Sequence, residues 1–326
     1  MIDWRTKLTM KVSEILGGIT EAELSEASTI VDKAMIAGEF DESSHEEWFE
    51  KRFKPNCVFI GEKEYAQMCI DSLKILPDVA GTDFGSSRQR DMGQLWADMT
   101  RGYLGEMAFT LFLNRHWKIE SELRHERGNL KDYLPTDLHG IRVPGDRSFR
   151  FPELKIGIKT TKWNGIWLDI PNDQFNHSDI HILVRVGVGR GHLLAFFKSL
   201  SVFRDKIIRK GMEEGFLNDQ EGKDLFDRLP DFKKIAAYVC GFAVKDAIYE
   251  DLPYTGKKGR VNYNITAWNG PMKPGDLERI KGRENIKGTV KFEGIGSFAH
   301  DSGYLFNSGN LFWKSGDWTE KVIRKL

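Results

Sequence analysis

A short apolar segment of the sequence carries charged side chains at alternating positions. The segment FPELKIGIKTT, residues 151–161, places Glu153, Lys155 and Lys159 among isoleucine, leucine and threonine residues. Side chains two positions apart share a face of a β-strand, so a strand here would present Glu153 and Lys155 together. Gly157 and Lys159 would follow on that face, and the other face would be apolar. Charged groups on a half-buried strand need partners, which directs attention to nearby acidic residues.

An acidic partner precedes this segment. Asp137 lies in PTDLHG, beside a proline and at the start of another predicted strand. Carboxylate oxygens are suitable ligands for Mg²⁺, which polarises a phosphoryl oxygen and lowers the pKa of bound water. A neighbouring lysine can orient or deprotonate that water and stabilise phosphate charge. Asp137, Glu153 and Lys155 therefore indicate metal-assisted phosphodiester hydrolysis; the alternative is a strand-face salt bridge with a turn-capping aspartate.

The order of these motifs resembles the PD-(D/E)xK nuclease superfamily. PTD followed by ELK in an apolar strand resembles the superfamily motif, although Thr136 separates Pro135 from Asp137. The helical segment ending in GYLGEMAF resembles the first core helix, with Glu106 as its glutamate. Gln174 matches a polar residue of some members. The resemblance covers residues 88–200 and implies a restriction-endonuclease-like fold, a Mg²⁺ cofactor, double-stranded DNA as substrate and a homodimer.

The resemblance also implies a role for each motif residue. Asp137 and Glu153 would hold Mg²⁺, the carbonyl of Leu154 would complete the metal site, and Lys155 would act on the attacking water. Many members place the lysine directly before threonines, as GIKTT places Lys159. In that register a glycine occupies the acidic position and the metal carboxylate is missing. We therefore predict the Glu153 and Lys155 register, with Lys159 as a phosphate-contacting cation.

Further basic and amide side chains are candidates for contacts with DNA, because such groups reach phosphates and base edges. The C-terminal segment TGKKGRVNYNITAWNG combines them with aromatic residues, although it is also typical of a surface hairpin. The predicted DNA-binding residues are Lys159, Lys162, Gln174, Lys257, Lys258, Arg260, Asn262 and Asn264.

The elements that position these residues follow from hydrophobic periodicity. Residues 1–85 are mostly helical, and residues 88–115 form the longest helical pattern. Short β-like runs follow, among them DIHILVRVGV, HLLAFFK and KIAAYVCGFAV. GVGRGH between two of them is predicted as a hairpin turn. His177, Asp179 and His181 are interpreted as a polar strand face rather than as metal ligands.

The predicted fold class is α/β. It comprises a restriction-endonuclease-like core of a mixed β-sheet flanked by helices, a helical N-terminal extension and a β-rich C-terminal extension. The predicted regions are residues 1–85, for DNA recognition or dimerisation, residues 86–212, the nuclease core, and residues 213–326, which would contact DNA.

Composition limits the classes of function. The 326 residues include 48 basic and 48 acidic residues, which argues against a general electrostatic binder of nucleic acid but permits a local basic cleft. The three cysteines are scattered without a CxxC pair, so neither disulfides nor a zinc site are expected. No signal peptide or membrane span is predicted, and the expected location is the cytoplasm of a prokaryote.

The sequence thus predicts a Type II restriction endonuclease that cuts double-stranded DNA with Mg²⁺. Two alternatives stay open: a repair or recombination nuclease of the same superfamily, and a catalytically inactive DNA-binding protein with this fold. Near-zero net charge suits an enzyme that reads a specific sequence, because non-specific affinity for DNA is mainly electrostatic.

Overall fold

The computed structural model describes residues 3–83, 91–123, 136–189, 191–245, 247, 249–295 and 302–326, and it combines helices with β-sheets. The α-helices are α1 (Trp4–Leu16), α2 (Glu21–Ile36), α3 (His45–Glu47), α4 (Lys54–Asn56), α5 (Glu62–Asp83), α6 (Met92–Trp117), α7 (Asn172–Phe175), α8 (His192–Ser199), α9 (Arg209–Glu213), α10 (Asp219–Arg228), α11 (Asp276–Arg283) and α12 (Ser315–Lys321). The strands are β1 (Cys57–Ile60), β2 (Glu120–Leu123), β3 (Leu138–Arg142), β4 (Ile156–Lys162), β5 (Trp167–Pro171), β6 (Ile180–Val186), β7 (Ile235–Val244), β8 (Tyr254–Lys258), β9 (Tyr263–Met272), β10 (Val290–Phe292) and β11 (Gly303–Asn307). The predicted α/β class is confirmed.

The central sheet has the strand order β1-β7-β6-β4. β4 and β6 are parallel, whereas β6 and β7, like β7 and β1, are antiparallel. Every residue of β6 is buried, which explains its nearly continuous apolar sequence, since helices and other strands cover both faces. The predictions of buried strands at DIHILVRVGV and KIAAYVCGFAV are confirmed.

Two apolar cores lie on opposite faces of the central sheet. One core joins β4, β6 and β7 to α5, α6 and α12, with Phe109, Phe112 and Trp318 among its largest members. The other joins the same sheet to α1, α2 and the second sheet through Trp48 and Phe53 among others. Residues from the N-terminal, central and C-terminal parts of the chain therefore share cores.

A second sheet has the order β10-β9-β11-β5, with β8 pairing to β9. Its own core is centred on Trp268, Ile265 and Leu305 and is covered by Ile280 of α11. The antiparallel pairing of β8 with β9 shows that the C-terminal segment forms the hairpin that its turn residues predict. A separate two-stranded sheet consists of β2 and β3.

Three sequence-based assignments of local structure are wrong. FPELKIGIKTT is a strand only from Ile156, so Glu153 and Lys155 precede β4. HLLAFFK forms α8, and GVGRGH leads into this helix instead of a hairpin. A short apolar run does not distinguish a buried helix from a strand, and its leucine, alanine and lysine residues all favour helix. Residues 88–90 and Pro135, on which part of the prediction relies, lie outside the described residues.

Cys57, Cys69 and Cys240 are buried, and none of them forms a disulfide. Among the described residues, no helix has both the length and the apolar character needed to cross a bilayer.

A buried ionic cluster, the Glu39 network, links distant parts of the chain. It consists of Glu39, Arg52, Arg185, Tyr238 and Ser308. The Glu39 and Arg185 side chains are fully buried and paired at 2.9 Å, and Arg52 lies 4.0 Å from the other carboxylate oxygen. The hydroxyls of Tyr238 and Ser308 donate hydrogen bonds to Glu39 at 2.9 and 2.6 Å.

The balance of this network keeps the carboxyl ionised. Burial alone would raise the pKa of Glu39, but Arg185 and Arg52 outweigh burial and lower the pKa to about 2. Arg52 also donates hydrogen bonds to the carbonyls of Cys240 and Ser308. The network therefore fixes the segment after α2 against β6, β7 and the residue that follows β11.

Candidate catalytic site around Lys159

Asp137 lies beside the outer edge of β4, just before β3. Its backbone N–H donates to the carbonyl of Ile156 at 2.8 Å, and its Oδ2 accepts from the N–H of Ile158 at 2.6 Å. The hydroxyl oxygen of Thr136 accepts from the N–H groups of Leu138 and Ile156 at 3.3 and 3.2 Å. These hydrogen bonds hold the Asp137 carboxylate beside Ile158 of the edge strand β4, the middle residue of the sequence GIK.

The lysine that the structure brings to this carboxylate is Lys159. Its half-buried side chain lies on β4, and burial lowers its pKa. The carboxylates of Asp137, Glu106 and Asp169 oppose that effect and raise the pKa, in that order of strength. The Lys159 ammonium also donates a hydrogen bond to Oε1 of Gln174. Lys159 of β4 thus interacts with carboxylates from α6, from β5 and from the residue just before β3, and with an amide from α7.

Glu106 reaches this site because α6 packs unusually close to β4. A Cβ atom on Gly105 would lie 1.8 Å from Oγ1 of Thr160, so only glycine allows this approach. The same hydroxyl donates a hydrogen bond to the carbonyl of Gly102 at 2.9 Å. The glycines of RGYLGE therefore place the half-buried Glu106 close to β4.

Asp169 is the site residue that sequence reasoning missed. It lies on β5, a short strand whose other residues are mostly apolar, and it is half-buried. The available signal was a single acidic residue inside GIWLDI, a run otherwise suited to a core. Asp169 is the third carboxylate near Lys159. It comes from β5, which follows Lys159 in the chain, and not from residue 157, where the motif would place an acidic residue.

The structure explains why residue 157, two positions before Lys159, is a glycine. A Cβ on Gly157 would lie 2.9 Å from Nδ1 of His181 and 3.1 Å from Oγ of Ser178. His181 is buried, its Nε2 contacts the carbonyl of Phe175 at 3.2 Å, and burial lowers its pKa to about 4. No acidic side chain fits at residue 157 unless this neutral imidazole moves.

Glu153 and Lys155 occupy a different environment. Both side chains are exposed and lie before the first residue of β4, while Leu154 is buried. The backbone N–H of Lys155 donates to Oδ2 of Asp179 at 2.8 Å, and its carbonyl accepts from the N–H groups of Asp179 and Ile180. This segment starts the pairing of β4 with β6, and the shared strand face predicted for Glu153 and Lys155 does not form.

The predicted DNA-contacting residues of the tail divide into two groups. Lys257, Lys258 and Arg260 are exposed in and beside β8. Asn262 and Asn264 are engaged within the protein, where Asn262 accepts hydrogen bonds from Thr289 and Asn264 donates to Glu293. Lys162, at the end of β4, is exposed.

The donor set around Lys159 suits a hard cation. In the part of the chain that the structure describes, no three His, Cys, Asp or Glu side chains are grouped closely enough to form a metal site by themselves. Mg²⁺ usually takes only one or two protein carboxylates and completes its shell with water and phosphate oxygens. Asp137 uses one oxygen to accept from Ile158, and a carboxylate has further lone pairs for a cation. Asp137 with one further carboxylate of this set would supply the number of protein ligands that this ion takes.

Comparison with protein-family models, with curated proteins and with solved structures gives no match.

Proposed function

We propose that this chain is a Mg²⁺-dependent endonuclease of the restriction-endonuclease type, acting on double-stranded DNA, with Lys159 as its catalytic lysine. The observation that carries the proposal is the convergence of Asp137, Glu106 and Asp169 on one half-buried lysine. Carboxylates and a lysine are the groups that metal-assisted phosphodiester hydrolysis requires. The chain order of helix glutamate, strand-start aspartate and edge-strand lysine supports the same assignment.

The three carboxylates near Lys159 would bind the metal ion and its water. Asp137 and Asp169 would hold Mg²⁺, and Glu106 would bind a water in its shell. When bound, the ion polarises the phosphoryl oxygen and lowers the pKa of the attacking water. Asp169 thus supplies the carboxylate that the motif would place at residue 157, where this chain has glycine. With Asp169 included, the GIK register contains both the carboxylates and the lysine that the proposed chemistry requires.

Lys159 prepares the attacking water. A lysine works as a general base only when it is neutral, and burial lowers the pKa of Lys159 in the required direction. The hydrogen bond to Gln174 fixes the direction of the Nζ atom, which limits the positions from which it removes a proton. Gln174 is therefore a positioning residue in this proposal.

The wider functional setting is part of the proposal. A homodimer cutting a specific DNA sequence in a prokaryotic cytoplasm suits a chain with no net charge, because tight non-specific binding is avoided. The exposed Lys257, Lys258 and Arg260 are the tail residues available to contact the phosphates.

The deciding experiment compares the two lysines of the GIK and ELK segments. Purified protein is incubated with plasmid DNA and Mg²⁺, and the cut ends are sequenced. Lys159→Ala should lower the cleavage rate by about 10²–10⁴-fold, the usual contribution of a general base, and Asp169→Asn should also lower it because a metal ligand is lost. Lys155→Ala and Glu153→Gln, the matched controls, should cut at the wild-type rate.

Three outcomes would change the proposal. If Lys155→Ala and Glu153→Gln abolish cleavage while Lys159→Ala cuts, the ELK register is catalytic. Cleavage of branched or nicked DNA without sequence preference would identify a repair or recombination nuclease. Specific DNA binding without cleavage in either Mg²⁺ or Mn²⁺ would identify an inactive DNA-binding protein.

A further inference from the structure

A pocket of about 250 Å³ opens beyond the carboxyl ends of β4 and β6. Its walls come from α2, from the turn between β4 and β5, and from the residues at and after the end of β6. Lys162 and Val186 close the parallel pairing of the two strands at this point. Open α/β sheets bind ligands at the carboxyl ends of their strands. The volume is slightly below the range of about 300–1,000 Å³ for drug-sized ligands, so it suits a smaller ring system.

The pocket contains a buried hydrogen-bond donor. The Trp163 side chain is 5% exposed, and its indole N–H completes no hydrogen bond of normal geometry among the described residues, although it lies close enough to the Glu26 carboxylate to act on it as a donor. The indole lies close to Gly187, where a Cβ atom would be 2.5 Å from Nε1. A buried donor without a well-aligned acceptor is unfavourable, so a ligand group that accepts from it in normal geometry gains affinity.

An acceptor stands beside this donor. Glu26 of α2 lines the same pocket and is half-buried. Burial raises the pKa of Glu26, hydrogen bonding by the adjacent Trp163 indole lowers it, and the neighbouring carboxylate of Glu23 raises it. Glu23 is itself paired with Lys233 at 2.7 Å, which leaves Glu26 as the carboxylate facing the pocket. Lys162 and Asn164 are exposed at the pocket wall.

A carboxylate next to one N–H donor selects among the nucleobases. A carboxylate accepts best from two adjacent donors, and guanine alone offers two on its Watson–Crick edge, from N1–H and the 2-amino group. Its O6 acceptor lies next to them and meets the indole N–H. Adenine, cytosine and thymine each offer a single donor position on that edge.

We infer that this pocket binds a guanine base, with Glu26 accepting from N1–H and the 2-amino group and Trp163 donating to O6. The base belongs either to a free guanine nucleotide or to an unpaired guanine of DNA, and Lys162 is placed to contact its phosphate. Lys162 follows Lys159 by three residues of strand, or about 10 Å at 3.3 Å per residue. The guanine site is therefore separate from the carboxylates around Lys159 and does not depend on the proposed cleavage.

The test measures binding of dGMP, dAMP, dCMP and dTMP by isothermal titration calorimetry. Wild-type protein should bind dGMP at least about 10-fold more tightly than the other three, which is the discrimination of a good bidentate contact. The nucleotide of inosine, which lacks the 2-amino group, should bind less tightly than dGMP. Glu26→Gln should abolish the preference, and Trp163→Phe should weaken dGMP binding.

Further arms separate this inference from the proposed nuclease. Lys159→Ala should retain the preference for dGMP whether or not the wild type cleaves DNA. A duplex with one unpaired guanine, compared with the same duplex carrying an unpaired adenine, shows whether the base is also accepted from DNA. Preference for guanine in either form supports the inference. Equal binding of all four nucleotides, absence of binding in both forms, or an unchanged preference in a correctly folded Glu26→Gln protein would overturn it.

Discussion

Two clusters of charged side chains occupy neighbouring strands of the central sheet, and they differ in how their charges are balanced. The Glu39 network, built on Arg185 of β6, surrounds one carboxylate with two guanidinium groups and lowers its pKa to about 2. The cluster around Lys159 of β4 surrounds one lysine with three carboxylates, yet burial still lowers the pKa of the lysine. The first arrangement stabilises the charged form of its central group, whereas the second leaves its central group easier to deprotonate.

This difference is the one expected between a structural cluster and the catalytic cluster that we propose. Glu39 accepts hydrogen bonds from tyrosine, serine and tryptophan side chains in addition to its ion pairs, so its protonation state is fixed near neutral pH. Lys159 has a hydrogen bond to a neutral amide, and its carboxylate neighbours are half-buried at the edge of the sheet. Perturbed ionisable groups of the second kind are typical of functional sites.

The largest expected effect is the loss of the Glu39 carboxylate. Glu39→Ala leaves Arg185 and Arg52 buried without their counterion, and breaking a buried pair in this way costs about 3–5 kcal/mol. Urea unfolding followed by circular dichroism gives the free energy of unfolding. Glu42→Ala, at an exposed glutamate three residues away, is the control and should change it by less than about 0.5 kcal/mol. Equal stability of the two variants would show that the network is not structural.

A smaller effect is expected at the contact between α6 and β4. Gly105→Ala forces a methyl group into Thr160 and should destabilise the protein by about 1–3 kcal/mol, the range for overpacking. Gly102→Ala, one turn earlier, meets nothing within 4 Å and should stabilise the helix by about 0.5–1 kcal/mol. Thermal unfolding compares the two directly.

Gly105→Ala and Gly102→Ala are expected to change the stability of the protein in opposite directions, so the comparison gives a clear result. If Gly105→Ala is as well tolerated as Gly102→Ala, α6 is not held against β4 as closely as described. Glu106 would then lose its defined position beside Lys159.

The smallest expected effect is a dependence of stability on alkaline pH. In the folded protein the pKa of Lys159 lies below its ordinary value of 10.5. Between the folded and the unfolded pKa, the unfolded chain therefore binds more protons at this residue than the folded protein does. The free energy of unfolding therefore rises with pH in this window, and Lys159→Met should remove that rise. Urea unfolding of both proteins at several pH values from 8 to 10.5 measures it. If the free energy of unfolding depends on pH in the same way for both proteins, the pKa of Lys159 is not lowered. The Glu39 carboxyl does not contribute to this pH dependence, because its pKa is about 2.

Elements with strong local signals were predicted correctly from the sequence. β6 and β7 are long apolar runs bounded by turn residues, and α6 corresponds to the longest helical pattern of the sequence. α8 was missed because an apolar run of that length has no distinct period. The start of β4 was misplaced because the alternation at Glu153 and Lys155 continues into a segment that makes no ladder until Ile156.

The candidate site shows why the remaining features escaped prediction. Asp137 and Glu106 carried motif signals and do lie beside β4, but the choice between Lys155 and Lys159 depends on where the strand begins. Asp169 comes from a different sheet, and its approach to Lys159 is a property of the packed sheets rather than of spacing. Glu39 gave no signal at all, since AGEFDESS is typical of an exposed loop and the residue is nevertheless fully buried.

The Glu39 network also constrains the time at which the protein completes its fold during synthesis. Its members at positions 39, 52, 185, 238 and 308 span most of the chain, so the complete network forms only after residue 308 has emerged from the ribosome. Until then Glu39 lacks the hydrogen bond from Ser308, and Arg52 lacks the carbonyl of Ser308 as an acceptor. Co-translational folding should therefore finish in one late step, and ribosome-bound chains ending before residue 308 should be markedly more sensitive to proteases than chains that include it.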